Sequence, residues 1–92
     1  MHVDYVELGT RVRVRRERDG LSPRDVQART GISLSLLQKV EAGQPVRVTL
    51  VELDLLAQAL DIALDELMYG SPVEERILAA ARLNAEQESD PL

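Results

Sequence analysis

Ninety-two residues, 45% of them hydrophobic, suffice for one small domain with its own core and are too few for two. The absence of cysteine excludes a disulfide framework, a thiol nucleophile and a cysteine-based zinc site, and with Tyr5 and Tyr69 as the only aromatics the apolar supply is aliphatic, which favours packed helices. The net charge of −5 argues against a nucleic-acid partner until it is divided along the chain: residues 1–47 hold nine Arg or Lys against six Asp or Glu, whereas residues 48–92 hold two against ten.

The first predicted helix runs from Asp4 to Asp19, with Tyr5, Leu8 and Val12 as its inward stripe and Gly20 at its end. It is strongly basic. Arg11, Arg13, Arg15 and Arg18 are expected on a solvated face that adds to the positive field. Ser22 is a good N-cap and Pro23 suits the first position of a second helix, Pro23 to Thr30, which Gly31 ends by taking a left-handed conformation. Ser33 caps a third helix, Leu34 to Ala42, with Leu37 and Val40 on its inner face and Gly43 closing it. Two short helices around a tight turn, from Leu21 to Gly43, form a helix-turn-helix, which places its second helix in the DNA major groove.

A loop through Gln44, Pro45, Val46, Arg47 and Val48 leads to Thr49 and Glu52, a capping box for a fourth helix that buries Leu53, Leu56, Ala57 and Leu60. A short fifth helix around Leu64 to Met68 turns Leu64, Leu67 and Met68 inward. Ser71-Pro72-Val73-Glu74 is a second capping box, opening a sixth helix to about Gln87. Its apolar residues need a partner surface, either the domain's own core or the same helix in a second subunit. Operators read by this motif usually pair two half-sites, which favours the subunit and makes Val73, Ile77, Leu78 and Ala81 dimerisation residues. The expected organisation is a DNA-binding domain over 4–69, a dimerisation arm over 71–87 and a disordered tail over 88–92.

The order of a basic helix, L-S-x-x-x-V, a G-I-S turn, an L-x-x-V-E-x-G helix end, a capped L-x-x-L-A-x-A-L helix and a final L-D-E-L resembles the Cro/phage-repressor-like, or Xre-type, helix-turn-helix family over about Leu8 to Met68. The resemblance implies an all-α, lambda-repressor-like five-helix bundle, here with an extra C-terminal helix, in which Leu34 to Ala42 is the reading helix. It also implies a structural ion pair between Arg16, late in the first helix, and Glu41, ending the third. Three positions depart from the family pattern. Pro23 stands where a glutamine amide usually holds a phosphate, Gln27 replaces a small alanine between the motif helices, and Leu34 replaces a polar base-reading residue.

On a helix with Leu37 and Val40 inward, Ser35, Gln38 and Lys39 face outward. Gln38 suits a bidentate contact to adenine, Lys39 a guanine edge or phosphate, Ser35 either, and Leu34 a thymine methyl. Arg24 and Arg47 are the expected phosphate contacts, the latter because family members often press that loop against the backbone. Catalysis finds no footing: His2 is the only histidine, so no triad or histidine-based zinc site can be assembled, and no cofactor is expected. No apolar run approaches the roughly 20 residues of a membrane span, and none near Met1 resembles a signal peptide, so a cytoplasmic chain with no membrane partner is expected. The expected function is sequence-specific binding of double-stranded DNA as a homodimeric repressor of transcription. The alternative is a protein-interaction module, an antitoxin or a restriction-modification controller on the same fold, with a protein partner and altered DNA binding.

Overall fold

The computed structural model describes residues 3–70; the expectations for 71–87 and 88–92 lie outside the described residues. The elements are α1 (Tyr5–Arg18), α2 (Pro23–Thr30), α3 (Leu34–Glu41), α4 (Leu50–Ala59) and α5 (Leu64–Tyr69), with no strand among the described residues. Each start has a local cause. Asp4 accepts the N–H groups of Val6 and Glu7 at 3.0 and 3.1 Å, and Ser33 accepts that of Leu36 at 3.1 Å. Thr49 and Glu52 form the reciprocal box expected of them, and Ser22 forms another with Asp25.

None of these helices is long enough to be stable alone, so burial decides the fold. The core gathers Leu8 and Val12 of α1, Val26 of α2, Leu37 and Val40 of α3, Leu53, Leu56 and Ala57 of α4, and Leu67 of α5, with Ile32, Leu60 and Ile62 from the connections. α1 packs on α3 and α5, α2 on α3 and α4, and α4 on α5. The inward stripe of α1 is shorter than its spacing suggests. Tyr5 is 42% exposed, at an open groove that the segment before α4, the first turn of α4 and the end of α5 also line.

Gly9 explains how α1 and α3 come so close. It is buried, and a β-carbon there would overlap the carbonyl oxygen of Val40 and lie 3.1 Å from that of Glu41. Backbone lies against backbone at this point, and nothing flexible is available to move aside. At the motif turn, Gly31 has φ 75° and donates to the Gln27 carbonyl at 2.8 Å. Buried Thr30 locks the same turn: its hydroxyl donates to the Val26 carbonyl at 2.7 Å and accepts the Ile32 N–H at 3.1 Å.

Arg11 does not belong to a solvated face. Its guanidinium donates to the carbonyls of Leu67 and Met68 at 3.3 and 3.1 Å, satisfying the open C-terminal end of α5, and pairs with Glu7 at 3.1 Å. α1 thus holds α3 with one face and caps α5 with another.

Two outcomes follow from these contacts. Gly9→Ala overpacks a backbone contact and should lower unfolding free energy by about 1–3 kcal/mol in urea denaturation, whereas the higher helix propensity of alanine alone would raise it. The Ser22 N–H donates to the Asp25 carboxylate at 2.7 Å; this bond, then the Ser22 hydroxyl, holds the Asp25 pKa below the ordinary 3.8. The box therefore supports α2 above that value and is lost as pH falls through the depressed pKa. An NMR titration should show the Ser22 amide shift following Asp25 with a midpoint below 3.8.

Candidate nucleic-acid interface

α3 buries Leu37 and Val40 and turns Ser35, Gln38 and Lys39 to solvent, so the three sequence-predicted polar readers share one exposed face. Leu34 is half-buried at the start of that helix, four residues and about one turn from Gln38. Arg24 is exposed in the first turn of α2, and Arg47 is exposed in the segment between α3 and α4. Gln27 is half-buried, and α2 still packs on α3 around it.

Arg16 fixes the far end of α3. Its Nε donates to Glu41 Oε2 at 2.9 Å and its Nη2 to Oε1 at 2.8 Å, a two-pronged pairing of guanidinium with carboxylate. The third direction is used as well, with Nη1 donating to the Leu21 carbonyl at 2.9 Å. Both side chains are only 12% exposed. The bond from Glu41 raises the Arg16 pKa further above its already high ordinary value, so the guanidinium stays charged. One side chain therefore ties together α1, the turn before α2 and the last turn of α3.

The start of α2 differs from the start of α3. Asp25 places a carboxylate on the first turn of α2, already hydrogen-bonded to Ser22, and Pro23 has no side-chain donor. An incoming phosphate at that helix end would meet a charge of its own sign. The first turn of α3 carries no acidic residue. Ser22 and Pro23 mark the helix start in the sequence, and the signal for Asp25 is its position three after Ser22, the capping-box spacing.

Among the described residues no group of three or more His, Asp or Glu could hold a metal ion, and no helix is long and apolar enough to cross a membrane.

Breaking the clamp at α3 should be costly. Glu41→Gln leaves a mostly buried guanidinium without its counter-charge and should destabilise the domain by about 3 kcal/mol. Replacing both partners by methionine should recover much of that loss, as read by chemical denaturation of the single and double variants.

Residues 7–68 match the family described as a helix-turn-helix domain. The restriction-modification controller protein C.AhdI from Aeromonas hydrophila is similar in structure with a TM-score of 0.64 and 41% sequence identity, over 70% of this chain and 96% of that one. A hypothetical transcription factor, NHTF, from Neisseria has a TM-score of 0.69 at 20% identity, over 85% of this chain and 93% of that one, a likeness of fold. No curated protein matches the chain. By its motif, its helical bundle and the extent of the match, the chain belongs to the helix-turn-helix domain family, in its Cro- and phage-repressor-like form, and has the fold of DNA-binding transcription regulators.

Proposed function

We propose that this chain is a sequence-specific, homodimeric transcription regulator of the restriction-modification controller type, reading a pseudo-palindromic operator with α3. The observation that carries this is the polar face of Ser35, Gln38 and Lys39 on a helix held at both ends, by Ser33 at its start and Arg16 at its finish. The 41% identity to a controller protein along nearly its whole length supports the controller reading over an antitoxin or a pure interaction module. Gln38 and Lys39 contact base edges, Ser35 and Leu34 complete the surface at the start of the helix, and Arg24 and Arg47 hold phosphates. With Asp25 occupying the start of α2, these arginines take the backbone contact by side chain and not by helix end. Output is repression where the operator overlaps a promoter, since a bound dimer then occludes the duplex. Val51, exposed on α4, offers an apolar contact for joining two chains.

Selection from random duplexes at fixed salt should enrich a pseudo-palindrome whose half-sites lie roughly 34 Å apart, with two chains bound per site by sedimentation. Gln38→Ala and Lys39→Ala should each relax preference at their own positions, costing about 1–3 kcal/mol of discrimination. Arg47→Ala should instead weaken all sequences alike and shallow the salt dependence by about one charge. Enrichment of no sequence, or unchanged preference in both α3 variants, would remove base reading from the proposal.

A further inference from the structure

An open groove of about 640 Å³ lies between the start of α1, the segment before α4, the first turn of α4 and the end of α5. Its lining is mainly aliphatic: Leu53 is buried in it, Val46, Val48 and Met68 are partly buried, and Tyr5 and Leu50 stand exposed at it. Such a cleft in a domain this small leaves apolar surface in water that the described residues do not cover. We infer that the groove is the seat of residues 73–83 of the same chain, which enter it along the line of Val73, Ile77 and Ala80.

The chain itself supplies the argument for that occupant. α5 ends at Tyr69 and Gly70, only two residues beyond Met68, so the chain leaves the described domain at the groove. The sequence that follows is rich in apolar residues: Val73, Ile77, Leu78, Ala80, Ala81 and Leu83. At helical spacing, Val73, Ile77 and Ala80 fall at i, i+4 and i+7, one stripe.

Docking within one chain is favoured over exchange between two chains because the tether is a few residues long. A short link sets an effective concentration on the order of millimolar, far above working protein concentrations. The sequence alone leaves this segment open between its own core and a second subunit; an apolar cleft that the described residues leave open beside its point of departure favours its own core. The inference does not depend on which DNA the domain reads.

A chain without cysteine lends itself to a direct test in the full-length protein. Ile77→Cys is combined in turn with Val46→Cys, Val48→Cys and Tyr5→Cys at the groove, and with Val14→Cys, exposed elsewhere on α1, as control. Under mild oxidation at least one groove pair should close a disulfide within single chains at least tenfold faster than the control. Separately, Ile77→Asp should lower Tm by roughly 4–8 °C and leave the oligomeric state unchanged. Disulfides that join two chains, groove pairs no faster than the control, or an Ile77→Asp chain with unchanged Tm and a dissociated dimer would each overturn the inference. If Ile77→Asp does not fold, the crosslinks decide alone. Operator selection by the reduced cysteine variants keeps this outcome separate from that of the proposed function.

Discussion

The orientation of α3 rests on its contact with α1. An eight-residue helix has too few internal hydrogen bonds to hold itself, so its direction must be imposed from outside. Gly9 lets the two backbones meet at Val40 and Glu41, and Arg16 grips the Glu41 carboxylate with two hydrogen bonds. These two residues are seven apart, two turns of α1, and therefore lie on one face with buried Val12 between them. The steric allowance and the charged clamp are thus parts of one arrangement. Close approach brings the guanidinium within reach of the carboxylate, and the ion pair holds the helices at a distance where any β-carbon on residue 9 would collide.

The same arginine carries this order into the motif turn. By donating to the Leu21 carbonyl, Arg16 fixes the chain just before Ser22 caps α2, while Gly31 and Thr30 fix it just after α2 ends. α2 is then held at both ends by hydrogen bonds and in the middle by Val26 in the core. Arg11 does a comparable service at α5, donating to two carbonyls of its last turn. Two of the arginines of α1 are therefore parts of the scaffold, and the basic character of that helix cannot be counted whole as attraction for phosphate.

Local signals in the sequence were sufficient to start α2, α3 and α4. Ser22, Ser33 and Thr49 each sit where a side-chain oxygen meets an open N–H, and Gly31 sits where the chain needs a positive φ, all within four residues of their partners. What required the folded chain were contacts between residues distant in sequence. Arg11 meets carbonyls 56 and 57 residues away, and before α5 is placed it is one arginine among several. Gly9 looks like a small loss of helix propensity until the α3 backbone lies against it. Tyr5 fits the apolar period of α1, yet period alone does not say where the neighbouring element stops. For the interface, spacing identified which side chains of α3 face outward, and the three-residue spacing of Ser22 and Asp25 carried the cap of α2, but only the folded chain shows its two hydrogen bonds.

The departures from the family pattern acquire a consistent physical meaning on this scaffold. Pro23 and Asp25 together make the start of α2 a closed, negatively charged cap, which stabilises the helix while removing the amide and the helix end that would attract phosphate. Gln27 is half-buried on α2, and α2 packs on α3 with Val26 and Leu37 in the core. On the proposed reading, the chain keeps the direction of its reading helix and changes how the domain is pressed onto the duplex. Backbone attraction then falls to a few flexible arginines, and discrimination to the short polar face of α3. A domain so arranged should owe less of its affinity to charge, and more to the match between α3 and its bases, than one with phosphate-binding helix ends.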